Sequence, residues 1–247
     1  MNNGLINIGN TCYLNSILQC LFSLDNFRSE IQNLQINENS LNNKLRFLFK
    51  ELETGSSQGN PKEILRFIIS KGFNDFRLGR QCDSYEVLVI ILDILHNECR
   101  KLPDWDIYYH FTKSGNELIN KSRSEMKKLY EKEYSHIYKI FGSQICSKVY
   151  NIKTEKVEYN FEYFTSISVP IKKNDTNLNE CLSNFFSYEK INEEFAREYI
   201  MYTYPSVLII NLKRFNNNNM KINSEIEIPE DRKSTRLNSS HQIISYA

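Results

Sequence analysis

The chain has 247 residues, with 31 Lys+Arg against 30 Asp+Glu and a formal net charge of +1; 25% of residues are charged and 40% hydrophobic. That balance excludes the basic excess on which a simple nucleic-acid binder relies. The longest apolar run, Val87 to Leu92, is too short to span a bilayer, and Met1 to Gly4 does not open a secretory leader. The expectation is therefore a soluble intracellular protein, cytoplasmic or nuclear, with neither nucleic acid nor membrane as partner. An excess of Asn (30 residues) over Ala (two) reads as coding bias, and runs such as Asn216 to Asn219 as polar loop.

The first hundred residues carry helical periodicity. Leu14, Ile17, Leu18, Leu21 and Phe22 fall on one face of a helix, and Leu41, Leu45, Leu48, Phe49 and Leu52 repeat the pattern until Gly55-Ser56-Ser57 stops it. Asn60-Pro61 reads as an N-cap with a first-turn proline before Ile64, Leu65, Ile68 and Ile69. Asp83 opens a helix through Val87, Leu88, Ile91, Leu92 and Leu95 that closes before Pro103, and a charged helical stretch is expected from Ser124 to Ile140. After Phe141-Gly142 the period changes. Ser143 to Asn151, Lys156 to Phe161 and Ser166 to Ile171 read as strands, and Leu178 to Phe186 as a short helix. Val207 to Leu212 reads as a strand buried on both faces, and Lys221 to Ile228 alternates up to Pro229. Helices first and strands later predict an α+β protein of two lobes, residues 4–141 mainly helical and 142–231 mainly strands, with a cleft between them. From Arg232 onward periodicity is lost. Residues 232–247 resemble a translated sequencing-adapter tail and are set apart from the fold, as an unrelated or disordered segment.

The six cysteines are Cys12, Cys20, Cys82, Cys99, Cys146 and Cys181. No pair is spaced C-x-x-C, so neither a zinc site nor a disulfide framework is legible, and no metal or cofactor is expected. Most cysteines are small buried hydrophobes. Cys12 differs, because Asn10 or Thr11 is a good N-cap and places it in the first turn of a helix. There the unsatisfied N–H groups and the dipole favour the thiolate. Gly9 permits close backbone approach, and Asn7 lies where its amide can return beside an oxyanion. Cys20, two turns further on, reads as core.

The run Gly4-Leu5-Ile6-Asn7-Ile8-Gly9-Asn10-Thr11-Cys12-Tyr13-Leu14-Asn15-Ser16 resembles the cysteine box of the ubiquitin-specific proteases, papain-like deubiquitinases. Gln81-Cys82-Asp83-Ser84-Tyr85-Glu86 resembles a second family box, with Cys82 in place of the usual Gln or Glu, and Val207 to Phe215 resembles the family's L-x-x-x-L-K-R-F strand. The resemblance covers about residues 4 to 230. It implies a papain-like fold with a helical thumb and a β-rich palm and fingers. It implies Cys12 as nucleophile, Asn7 as oxyanion donor, and ubiquitin and ubiquitinated proteins as partners. Gln81, Asp83 and Glu86 then line the channel for ubiquitin's arginine-bearing tail, although Asp83 and Glu86 read alone are a helix cap and a first-turn acid.

Two departures qualify the resemblance. The family's general-base box, of the kind H-x-G-x-x-x-x-G-H-Y, is absent after Phe215. His96 reads as packing, His110 and His136 as surface, and His241 lies in the aberrant tail. The catalytic His and its Asp or Asn partner are thus not present, and the chain reads as C-terminally truncated and inactive as it stands. The fingers stretches, Lys148 to Phe161 and Ile191 to Tyr204, contain no cysteine, so a reduced, zinc-free fingers region held by hydrophobic packing is expected. A non-catalytic ubiquitin-binding module and a protease for another ubiquitin-like modifier are the competing readings.

Overall fold

The computed structural model describes residues 4–34, 37–55, 58–101, 115–132, 134–215, 220–229 and 242–246, the last five by their backbone alone. His110, His241, Asn216 to Asn219 and most of the segment from Arg232 onward lie outside the described residues. The chain divides into two compact units: residues 1–100 with 135–140, and residues 101–134 with 141–247.

The first unit is helical: α1 (Cys12–Ser23), α2 (Asp25–Asn33), α3 (Leu41–Thr54), α4 (Lys62–Ser70), α5 (Ser84–Cys99) and all but the last residue of α7 (His136–Phe141). α1 packs on α2 and α5, and α3 on α2, α4 and α5. The apolar stripes do this. Leu14, Ile17, Leu18 and Leu21 of α1 are fully buried, as are Leu41, Leu45 and Phe49 of α3. α5 buries residues on nearly every side, which is why its sequence reads as a continuous apolar run rather than a stripe. Its Glu98 carboxylate accepts the N–H groups of Leu41 (2.7 Å) and Asn42 (3.0 Å), so α5 caps the start of α3 beside the local cap of Ser40. Gly55, in the left-handed region at φ 66°, ends α3. Asn60 Oδ1 accepts from Lys62 N at 3.0 Å, but the N-cap position of α4 falls on Pro61, one residue after the one the sequence predicts.

Gly59 ties the start of the chain to this unit. Its N–H donates to the Gly4 carbonyl (3.1 Å) and its carbonyl accepts from Ile6 N (3.0 Å). A Cβ at this position meets Leu48 Cδ1 at 2.9 Å, Leu5 Cδ2 at 3.0 Å and Leu52 Cδ2 at 3.1 Å. Those are side-chain ends in a packed interior, so Gly59→Ala is expected to cost about 1–2 kcal/mol. A urea midpoint unchanged from wild type contradicts that packing.

Among the described residues, the second unit holds α6 (Glu117–Tyr130), seven strands and α8 (Leu178–Phe186). β2 (Val157–Phe164), β1 (Ser143–Asn151), β5 (Phe195–Met201) and β4 (Glu189–Lys190) form one antiparallel sheet in that order. β1 and β2 pair from Ser143↔Phe164 to Tyr150↔Val157. Their turn is set by Asn151 Oδ1, which accepts from Lys153 N (3.1 Å) and Thr154 N (3.0 Å), and by Glu155 at φ 56°. β3 (Ile167–Pro170), β6 (Val207–Lys213) and β7 (Gln242–Tyr246) form a parallel sheet with β6 central. Ile167, Val169, Leu178, Cys181, Leu182, Ile210 and Leu212 form its core with α8.

Several expectations change. The helical half of the sequence does not map whole onto the first unit. Residues 101–134 group with the strands, and α6 is fastened there by paired bonds between Ser122 and Gln144 (Ser122 Oγ to Gln144 Oε1 at 2.6 Å). The charged stretch from Ser124 to Ile140 falls on two helices, one ending at Tyr130 and the next starting at His136. Lys221 to Ile228 alternates yet forms no strand, only single bridges at Lys221 and Glu227. Residues 242–246, expected to lie outside the fold, pair with β6 from Val207↔Gln242 to Asn211↔Tyr246. Ile243, Ile244 and Tyr246 are strand formers there, and a central strand has a second edge to pair.

Candidate active site

The junction between residues 4 and 12 is built on one side chain. Asn7 Oδ1 accepts from Gly9 N (3.2 Å), Thr11 N (3.1 Å) and Thr11 Oγ1 (3.3 Å). Gly9 at φ 115° and Asn10 at φ 53° then turn the chain into α1, a path that Gly and Asn tolerate best. Gly79, itself at φ 85°, clamps this turn from 70 residues away: its N–H donates to the Gly9 carbonyl (3.0 Å), and its carbonyl accepts from Asn10 Nδ2 (2.8 Å). Cys12 is the first residue of α1, where the helix leaves its leading N–H groups without intrahelical partners.

Cys12 is exposed, and all six cysteines are free thiols. Cys99, Cys146 and Cys181 are buried. Burial, aided by the Glu98 and Glu30 carboxylates, pushes Cys99 up to about 12, and burial with Asp175 pushes Cys181 up to about 11. Burial also raises Cys146 and Cys82, against the pull of nearby cations. These thiols are poor nucleophiles near neutral pH. Cys20 is half-buried, not core as its position in α1 predicts. Cys82 is half-buried too, its Sγ 3.4 Å from the Asp75 carbonyl. Beside it the phenol of Tyr13, buried, is pushed up to about 12 by burial and then by the Cys82 sulfur.

The Gly79 clamp brings the second motif to the first. Gln81 is exposed two residues beyond it, and Asp83 and Glu86 are exposed at the start of α5. Asp83 Oδ1 accepts from Tyr85 N (2.7 Å) and Glu86 N (3.3 Å), so it is the N-cap of α5. The histidines go elsewhere. His96 is buried, with Nδ1 2.8 Å from Ser135 Oγ and its ring stacked on Tyr138, as its packing role predicts. His136 pairs with Glu30 at 2.8 Å. Sequence reasoning missed the Gly79 clamp and the inward turn of the Thr11 hydroxyl. The only local signal for the first is a glycine four residues before the Asp83 cap.

The chain belongs to the ubiquitin carboxyl-terminal hydrolase family, whose model matches residues 3–244. It is 25% identical over 246 residues to ubiquitin carboxyl-terminal hydrolase 36 of Drosophila grimshawi, covering 90% of this chain and 18% of that one. It is 28% identical over 247 residues to the probable ubiquitin carboxyl-terminal hydrolase 4 of Schizosaccharomyces pombe, covering 86% and 42%. With human ubiquitin carboxyl-terminal hydrolase 35 it shares 31% over 172 residues, covering 67% and 15%. Among solved structures, the SAGA Ubp8/Sgf11/Sus1/Sgf73 DUB module bound to ubiquitin aldehyde matches with a TM-score of 0.67 at 20% identity, covering 92% of this chain and 51% of that one. A second structure of that module, with Ubp8(C146A) and bound to monoubiquitin, matches with a TM-score of 0.68 at 20% identity, covering 92% and 52%. The fold is thus the papain-like α+β fold that the sequence predicts. The chain spans about half of those solved chains and less than half of the curated relatives.

Proposed function

We propose that this chain carries the nucleophile half of a cysteine-type deubiquitinase, which cleaves the bond after the C-terminal glycine of ubiquitin. The observation that carries the reading is Cys12: an exposed thiol opening α1, directly after Thr11, whose N–H and hydroxyl both hold the Asn7 amide. The thiolate attacks the glycine carbonyl. The oxyanion that forms is met by Asn7 Nδ2, which has no partner among the described residues, and by the leading N–H groups of α1. Collapse to a thioester releases the amine, which must take up a proton, and water then frees ubiquitin. His96 and His136 are committed elsewhere, so the reading assigns the general base to neither. The enzyme is proposed to work inside the cell, in cytoplasm or nucleus, where free thiols persist; among the described residues no helix is long and apolar enough to cross a membrane.

The test is to mix the chain with ubiquitin carrying an activated C-terminal thioester, whose leaving group needs no protonation. Transfer of ubiquitin to Cys12, lost in Cys12→Ser, is expected. Binding of ubiquitin without transfer favours the non-catalytic module, and transfer only from a ubiquitin-like modifier favours the third reading.

Asp83 and Glu86 are proposed to meet the basic tail of ubiquitin. Because Asp83 also caps α5, the informative variant is Asp83→Asn with Glu86→Gln, which keeps an N-cap and removes both charges. Two exposed charge pairs contribute up to about 1 kcal/mol each, so ubiquitin binding should weaken roughly fivefold to tenfold. The loss should vanish with ubiquitin whose tail arginines are neutralised. An equal loss for both ligands leaves these residues as helix caps only.

A further inference from the structure

We infer that Thr11 is a positioning residue for this chemistry: its buried hydroxyl fixes the Asn7 amide with the oxygen turned into the loop and Nδ2 left as the donor. The inference rests on the oxyanion role proposed for Asn7. A Thr at the N-cap position ordinarily turns its oxygen onto an N–H of the first helical turn. Thr11 holds that position in α1, yet its side chain makes no cap bond, and the residue is fully buried. Its hydroxyl instead accepts from Ile8 N at 3.2 Å and donates to Asn7 Oδ1 at 3.3 Å. A hydroxyl has one proton, and the acceptor bond from Ile8 directs that proton toward Asn7. Thr11 N reaches the same Oδ1 at 3.1 Å, so one residue supplies two of its three donors.

The consequence is orientational. Turning the Asn7 amide over places its NH2 group against two N–H groups and a hydroxyl proton, so the oxygen is the end that fits the loop. Donation into Oδ1 also polarises the amide and makes Nδ2–H the stronger donor. Asn15 Nδ2, bonded to the Ile6 carbonyl at 3.1 Å, steadies the chain on the other side of Asn7. The hydroxyl that leaves α1 without a side-chain cap is thus spent on Asn7.

The test compares two reactions of Cys12 in the 247-residue chain. Acyl transfer from the ubiquitin thioester passes through an oxyanion; alkylation by a haloacetamide does not. Thr11→Val, which removes the hydroxyl at nearly constant volume, should slow acyl transfer roughly fivefold to tenfold, the worth of one neutral hydrogen bond. It should leave alkylation unchanged, and Thr11→Ser should restore transfer. If Thr11→Val stays within about twofold of wild type while Asn7→Ala is slow, the inference is overturned and the role of Asn7 stands. If transfer and alkylation slow together, Thr11 is merely structural and the inference is again overturned. If Asn7→Ala itself transfers at the wild-type rate, the oxyanion reading fails and takes this one with it.

Discussion

Replacing Asn7 by Ala is expected to slow ubiquitin transfer to Cys12 on the order of 100- to 1000-fold, the loss typical of one oxyanion donor. The effect should fall on the rate at saturating thioester and leave half-saturation nearly unchanged, because the donor acts on charge that exists only in the transition state. Asn7 also organises the loop through Oδ1, so Ala alone confounds the two roles. Asn7→Asp separates them: it keeps an oxygen for Gly9 N and Thr11 N, and replaces the Nδ2 donor with a second acceptor. It should be at least as slow as Ala while retaining wild-type stability. Transfer by Asn7→Asp within about threefold of wild type shows that Asn7 only shapes the loop.

Hydrolysis of an amide-linked fluorogenic ubiquitin by the 247-residue chain should be barely detectable, even where thioester transfer is brisk. The two substrates differ in their leaving groups. A thiolate departs unaided, whereas an amine must be protonated as the bond breaks, a contribution of typically 100- to 10,000-fold when an acid is in place. His96 is held by Ser135 and Tyr138, and His136 by Glu30. His241→Ala is expected to change nothing. Robust amide turnover that disappears in His241→Ala contradicts this assignment and makes the segment around β7 part of the enzyme.

What the sequence made legible follows from the range of the interactions involved. Helices α1, α3 and α4 each carry their own apolar stripe, and α5 a long apolar run behind its Asp83 cap, so local sequence was enough to place them. α2 was missed because its buried side is only Phe27 and Ile31 in an otherwise polar stretch. β5 was missed because Arg197 and Glu198 interrupt its alternation. The Glu198 charge is met from partners distant in sequence, Lys148 (3.3 Å) and the Tyr150 hydroxyl (2.7 Å), across the β1–β5 register. The candidate site divides the same way. Asn7, Thr11 and Cys12 are neighbours in the chain, and their motif could be read directly. The Gly79 clamp and the Glu98 cap on α3 join residues 56 to 70 positions apart, and no local pattern announces them. Asp83 was legible in type but not in use: the sequence offered a cap and a tail contact, and the cap is what its Oδ1 makes.

The central claim is that Cys12, alone among six cysteines, attacks the C-terminus of ubiquitin. The most direct measurement is to react the chain with ubiquitin bearing a thiol-trapping electrophile in place of its last glycine, then locate the adduct by peptide mass spectrometry. The account predicts one ubiquitin per chain, attached at Cys12, no adduct in Cys12→Ser, and unmodified Cys20, Cys82, Cys99, Cys146 and Cys181. An adduct that survives Cys12→Ser, or that maps to Cys20 or Cys82 in the wild-type chain, contradicts it.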